Sequence, residues 1–107
     1  MTPIGSLKQR FERDPLPVRW GGIASDLLRL SSMAHAEKLN VTAFQDVLTE
    51  TKLFTEWLAP EVELKDQKTI LSLQRVLSDI SLSHPKEIEA KTRVWFEKVL
   101  TISGLGR

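Results

Sequence analysis

The chain has 107 residues, 41% of them hydrophobic, and a formal net charge of +1. This length and composition predict one globular domain with its own core, and the small net charge gives no bulk attraction to nucleic acid or to anionic membranes. The absence of cysteine excludes disulfides and metal sites with thiolate ligands. No apolar run approaches the ~18 residues of a membrane span, and the N-terminus lacks a secretory signal, so the sequence predicts a cytoplasmic protein.

Residues 1–16 are predicted to form an N-terminal arm that contains a short helix over residues 6–13. Leu7 and Phe11 fall on one face of this helix, one turn apart. The two prolines of segment 14–17 end it, because residues that precede proline avoid the α-helical region. A helix this short is not stable alone in water, so the arm must dock on the rest of the chain or on another molecule.

Residues 17–107 are predicted to form a bundle whose organising element is the helix over residues 17–39. Its apolar residues recur at the i, i+3, i+4, i+7 spacing of a core-facing helix. We therefore expect Arg19, Asp26 and Arg29 to point away from the core. The core-facing stripe consists of Trp20, Ile23, Ala24, Leu27, Leu30, Ser31 and Ala34.

Three more helices are predicted: one over about 41–58 with Asn40 as its N-cap, one over about 63–82, and one between a cap at Ser83 or His84 and the left-handed Gly104. Alternating strand patterns and hairpin turn signals are absent. Short connections between four main helices predict an all-α, up-and-down antiparallel four-helix bundle. Its predicted core is Trp20, Ile23, Leu27, Leu30, Phe44, Val47, Leu48, Phe54, Ile70, Leu73, Leu77, Ile80, Ile88, Trp95, Val99 and Ile102.

Leu53 and Trp57 lie outside the core-facing stripe of their helix and form a second apolar patch. One interpretation is that Leu7, Phe11 and Leu16 of the arm cover this patch inside the same chain. The other is that the patch contacts a second subunit or a partner, since tryptophan is enriched at the energetic centres of interfaces. The sequence leaves both interpretations open.

Val94 and Leu100 also lie off the main stripe of the last helix. The chain therefore has more apolar surface than a minimal four-helix core uses. This surplus favours an oligomer, most simply a two-fold homodimer, and possible binding to another protein. The candidate interface residues are Leu7, Phe11, Leu53, Trp57, Val94 and Leu100.

Arg29 and His35 are separated by five residues on the organising helix. This spacing resembles the Arg-x(4–6)-His motif of the HEPN ribonucleases, which are small helical bundles, and the resemblance implies RNA cleavage across a dimer interface. At ~100° per residue the two side chains are about 120° apart around the helix. The polar residue that usually follows the arginine in that family is Leu30 here.

Glu63 and Asp66 form a Glu-x-x-Asp pair. This pair resembles the magnesium-binding pair of the all-helical nucleotide pyrophosphohydrolases of the MazG type, and the resemblance implies metal-dependent hydrolysis. The upstream Glu-Glu-x-x-Glu segment of that family has no counterpart here, and a solvated acidic turn is the alternative. A basic cluster on the arm suggests a further hypothesis, weak nucleic-acid binding; it comprises Lys8, Arg10, Arg13 and Arg19.

The two histidines, His35 and His84, lack the Glu-x-x-His context of a di-iron bundle. No nucleotide-binding, nucleophile-elbow or zinc motif is present. The sequence therefore assigns no catalytic residue, cofactor or metal. Its leading hypothesis is a non-enzymatic protein–protein interaction module, with the hydrolase, ribonuclease and nucleic-acid hypotheses as alternatives.

Overall fold

The computed structural model describes residues 4–80 and 84–104, and the regular secondary structure in these ranges is helical throughout. The elements are α1 (Ile4–Arg13), α2 (Leu16–His35), α3 (Val41–Leu58), a 3-10 turn (Ala59–Glu61), α4 (Leu64–Ile80) and α5 (Pro85–Ser103). The Cα radius of gyration is 13.3 Å, the value of a compact domain of this length. The predicted all-α class is confirmed.

The central element is α2. It packs most extensively against α5 and next against α3. The Ser31 hydroxyl donates to the carbonyl of Glu89 at 3.3 Å, so the end of α2 lies beside the beginning of α5. Helix α3 also contacts α1 and α4, and α4 contacts α5. Helix α2 is therefore the element around which the other helices pack, as predicted for the helix over residues 17–39.

The helix ends follow local capping chemistry. The Asn40 side chain accepts a hydrogen bond from the amide of Ala43 at 3.0 Å, as predicted for an N-cap. The His84 Nδ1 atom accepts from the amide of Lys86 at 3.2 Å. Gly104 follows α5 with a φ of 75°, the left-handed conformation that glycine adopts without a Cβ penalty.

Three predicted boundaries differ from the observed ones. Helix α1 begins at Ile4 rather than at residue 6. Helix α2 begins at Leu16 and ends at His35 rather than at residue 39. The predicted end of the fourth helix at residue 82 lies outside the described residues. The proline at position 17 occupies the first turn of α2, where its missing N–H leaves no intrahelical hydrogen bond unmade.

Most of the predicted core is buried, but Trp95 and Ile102 are only half-buried and pack against the edge of the core. The ammonium of the exposed Lys98 lies 4.6 Å from the centre of the Trp95 ring, a cation–π contact at the edge of the core. The structure adds five residues to the predicted core: Phe11, Ala24, Ala34, Leu58 and Val62.

The prediction that Arg19 and Asp26 point away from the core is wrong. Their exposed fractions are 8% and 3%. The Arg19 Nε atom donates to the carbonyl of Asp14 at 2.8 Å, and its guanidinium pairs with Glu61 in the 3-10 turn. Neighbours therefore cover more of the circumference of α2 than a simple four-helix arrangement predicts. The Arg29 side chain remains largely exposed, as expected.

Candidate interaction groove

Helix α1 docks on α3 within the chain. Phe11 is 6% exposed, and its ring stacks on Phe54 with 4.4 Å between the centroids and 14° between the planes. Trp57 lies beside both rings, with centroid separations of 6.0 Å. Such aromatic pairs contribute ~0.5–1.5 kcal/mol beyond the apolar area that they bury. Of the two locations considered for the arm, the internal one is observed for Phe11.

An open groove with a volume of about 450 Å³ lies beside this docked helix. Its walls come from α1 and the residue that follows it, from α3 and from α5, and its floor is the first half of α2. The lining residues are Leu7, Arg10, Phe11, Asp14, Val18, Gly21, Gly22, Phe54 and Leu100. Three of the six candidate interface residues, Leu7, Phe11 and Leu100, therefore meet in one place.

The floor of the groove is low because it contains Gly21 and Gly22, with Val18 one turn earlier. Val18 is 44% exposed. A Cβ atom built on Gly22 would lie 3.9 Å from Cε2 of Phe54, which is an ordinary van der Waals contact. The packing of this chain therefore does not require glycine at position 22. Because glycine has no side chain, another element can approach α2 closely at this position.

The groove carries one positive and one negative side chain, Arg10 and Asp14. Within the described residues, neither side chain forms an ion pair with another part of the chain. The groove is thus apolar along its walls, neutral in net charge and polar at one edge. An apolar centre bounded by polar groups is also the general arrangement of protein interfaces.

The other candidate residues lie elsewhere. Leu53 and Trp57 are half-buried on α3, next to the groove residue Phe54 but not lining the groove. Val94 is 53% exposed on α5. It precedes Leu100 by six residues, so the two lie about 120° apart around the helix. The structure therefore does not bring Val94 into the same surface.

Arg29 and His35 are held by different partners. The Arg29 Nη1 atom lies 3.3 Å from Oδ1 of Asp26 and 3.7 Å from Oε2 of Glu50. The His35 Nδ1 atom lies 3.0 Å from Oε1 of Glu89 on α5. The structure does not join Arg29 and His35 into a common site in this chain, and each contacts a carboxylate on a neighbouring helix: Glu50 on α3 for Arg29 and Glu89 on α5 for His35.

Glu63 and Asp66 lie at the N-terminal end of α4, where their interactions are local to the first turn of the helix. The amide of Asp66 donates to the carbonyl of Glu63 at 2.9 Å, and the Glu63 carboxylate lies 3.6 Å from Nζ of Lys65. Across residues 4–80 and 84–104, no group of three or more potential ligands among histidine, cysteine, aspartate and glutamate is placed to hold a metal ion.

The basic cluster of the arm is divided by the fold. Arg19 is buried and paired with Glu61, whereas Lys8, Arg10 and Arg13 are exposed. Of the four cationic side chains in the predicted cluster, three therefore remain exposed. Each phosphate contact depends on an exposed cation, so the surface available to a nucleic acid is smaller than the sequence suggests.

Sequence reasoning missed a buried carboxyl group at the seam between α2 and α3. Asp26 is buried, its Oδ1 atom contacts Arg29, and its Oδ2 atom has no hydrogen-bond partner. Burial, and next the Glu50 carboxylate, raise the pKa of Asp26 to about 8. An aspartate on the polar side of an amphipathic pattern gives no signal of such burial, since periodicity shows only which residues share a face.

Comparison with protein-family models, with curated proteins and with solved structures finds no match to this chain. Among the described helices, none is both long and apolar enough to pass through a lipid bilayer.

Proposed function

We propose that this protein is a helical protein–protein interaction module that acts as a homodimer, and that the groove over α2 is its contact surface. The observation that carries the proposal is the convergence of Leu7, Phe11 and Leu100, which the sequence marks as surplus apolar residues, in a single groove. The function is binding rather than catalysis, and the cytoplasmic location stays a prediction from the sequence.

The scaffold in this proposal is an up-and-down bundle of α2, α3, α4 and α5, with α1 packed on its side. One contact and one shared surface support this topology. Arg19 near the start of α2 pairs with Glu61 after the end of α3, and Val18 faces the same groove as Leu100 near the end of α5. Both neighbours of α2 thus run in the opposite direction to it.

A second copy of the chain fits the charges of the groove. In a two-fold interface the same surface meets itself, so a residue at one position contacts its complement on the other copy. Arg10 can then pair with the partner's Asp14, and Asp14 with the partner's Arg10. A surface with one unpaired cation and one unpaired anion is complementary to itself in this way. The exposed Val18 and the half-buried Leu7 and Leu100 supply apolar area that leaves water on association.

The first test compares Leu100→Glu with Leu71→Glu by light scattering behind a sizing column. Leu100 lines the groove, and Leu71 is 61% exposed on α4, away from it. We expect the wild type and Leu71→Glu to have the mass of two chains and Leu100→Glu that of one. Circular dichroism establishes that each variant is folded. A monomeric wild type, or a dimer that survives Leu100→Glu, would refute the proposed dimer.

The second test exchanges the charges. Arg10→Asp alone places two acidic groups at the groove edge of each copy, and Asp14→Arg alone places two basic groups there. Each variant should weaken self-association several-fold, because like charges then face each other. An equimolar mixture should restore dimers, since every acidic group of one chain then faces a basic group of the other. Failure of the mixture to recover would exclude the proposed pairing.

The third test separates assembly from folding at Gly22. Alanine adds one methyl group at ordinary contact distance from Phe54 and raises helix propensity by ~1 kcal/mol relative to glycine. Gly22→Ala should therefore stabilise the single chain and yet weaken the dimer, because the methyl group raises the floor of the groove.

Gly5→Ala is the matched control for this test. Gly5 lies in α1, and a Cβ atom there meets nothing within 4 Å. It should raise stability slightly without changing dimer affinity. An unchanged dimer affinity in Gly22→Ala would show that no partner contacts the floor of the groove.

A further inference from the structure

The carboxyl groups of Asp26 and Glu50 are held close together by one cation. Both contact the same atom, Nη1 of Arg29, at 3.3 Å and 3.7 Å. Asp26 is on α2 and Glu50 is on α3, so this cluster spans the seam between the two helices. One guanidinium can neutralise only one of two carboxylates, and burial makes the remaining negative charge costly.

The Oδ2 atom of Asp26 has no hydrogen-bond partner. The neighbouring Glu50 carboxylate can only accept, so an ionised Asp26 gains nothing from its proximity. A protonated Asp26 becomes a donor to Glu50, and its neutral form also removes the excess charge. The protonated acid, the Glu50 carboxylate and the Arg29 guanidinium then sum to zero net charge.

We propose that Asp26 keeps a proton and donates it in a hydrogen bond to the Glu50 carboxylate across the seam between α2 and α3, and that release of this proton to solvent alters the floor of the groove. The release breaks the O–H bond of the acid and leaves two carboxylates with one guanidinium, a net charge of −1. Their repulsion acts between the two helices. This inference concerns the folded chain and holds whether or not a dimer forms.

The carboxyl pair at the seam lies one helical turn from the groove on both α2 and α3. Gly22 lies one helical turn before Asp26 on α2, and Phe54 lies one turn after Glu50 on α3. Gly22 and Phe54 are both lining residues of the groove and approach each other across the same seam. A change in separation of α2 and α3 at the carboxyl pair therefore reaches the groove within one turn.

The charged groups around Asp26 are few. On α3 the facing group is Glu50, and on its own helix it is Arg29; these two are the charged neighbours that affect the pKa of Asp26. Arg10 and Asp14 of the arm region lie on the groove beside Gly22.

On α5, the Glu89 carboxylate contacts His35, which lies more than two helical turns after Asp26 on α2. Burial is the largest cause of the raised pKa of Asp26, and Glu50 adds to it.

The test is a pH titration of the full chain followed by NMR, with the side-chain carboxyl carbon of Asp26 and the amides of Gly21 and Gly22 as probes. We expect the Asp26 carboxyl signal to shift near pH 8 and the Gly22 amide to shift with the same midpoint. Between one pH unit below and one above this midpoint, the ratio of protonated to ionised pair changes 100-fold.

Asp26→Asn and Asp46→Asn are the matched variants. Asparagine at position 26 keeps the shape and the donor but cannot titrate, so the amide shift of Gly22 near pH 8 should disappear. Asp46 is exposed on the same helix as Glu50, and its substitution should leave that shift intact. An Asp26 carboxyl that titrates with an ordinary acidic midpoint, or a Gly22 amide that does not follow it, would overturn the inference. In a chain that proves monomeric, the same signals still decide it.

Discussion

Replacing Asp26 with asparagine should stabilise the protein at neutral and alkaline pH. The pKa of Asp26 is about 8 in the folded chain, against a reference value of 3.8. Between these values the folded chain retains a proton that the unfolded chain has released. The folded state therefore binds more protons, and the unfolding free energy falls as the pH rises from about 4 to about 8.

The size of the effect follows from the shift. One pKa unit corresponds to about 1.4 kcal/mol, so the interval from the reference value of 3.8 up to pH 7 corresponds to about 4 kcal/mol. Structural relaxation and water penetration reduce such costs in real proteins, so about 2–4 kcal/mol is the expected range. Asparagine carries no charge and can still accept from Arg29 and donate to Glu50. At pH 8 the variant should recover most of this free energy.

The assay is urea unfolding of the wild type and of Asp26→Asn at several pH values from 4 to 9, followed by circular dichroism at a protein concentration held constant. The difference in unfolding free energy should be small near pH 4 and should grow up to pH 8. Asp46→Asn, an exposed substitution of the same type, should show no such growth. A difference that is constant with pH, or an Asp26→Asn variant that is less stable than the wild type at pH 8, would show that the folded chain does not raise the pKa of Asp26.

Three further substitutions test the contacts that hold the fold together, each by urea unfolding. Phe11→Ala should cost about 3 kcal/mol because it removes the aromatic contact between α1 and α3, whereas Ile4→Ala on the exposed side of α1 should cost little. Arg19→Gln should cost about 1–3 kcal/mol because it removes the hydrogen bond of the buried guanidinium to the Asp14 carbonyl and its ion pair with Glu61, and Arg13→Gln should be nearly neutral. Asn40→Ala should cost about 1 kcal/mol through loss of the α3 cap. Equal effects within either matched pair, or a neutral Asn40→Ala, would contradict these assignments.

Local rules predicted the helices well because they act within a few residues. The cap at Asn40 and the left-handed Gly104 are decided by side-chain and backbone chemistry that the sequence displays directly. The periodic stripe of α2 predicted its core-facing residues for the same reason. The fold class follows from these elements, since each amphipathic helix must bury its apolar face against another.

The candidate site was predictable only in part. The apolar surplus at Leu7, Phe11 and Leu100 is visible in the sequence, but their convergence depends on which helix the arm docks against, which is a long-range choice. The prediction that Asp26 points away from the core is wrong because periodicity assigns a residue to a helix face and does not state how many neighbouring elements cover that face. Tertiary packing decides that coverage.

The distribution of residues around α2 supports a partner beyond this chain. Arg19 and Asp26 are covered by neighbouring elements, whereas Val18 is 44% exposed above a floor that contains Gly21 and Gly22. In an isolated domain the free energy of burial favours the opposite arrangement, with charges in water and apolar residues covered. Helix α2 buries Arg19 and Asp26, while its surface at Val18, Gly21 and Gly22 remains open. Such a helix is suited to contact with one more element. The groove above that surface has the apolar walls and the two charges of opposite sign, on Arg10 and Asp14, that a second copy can match.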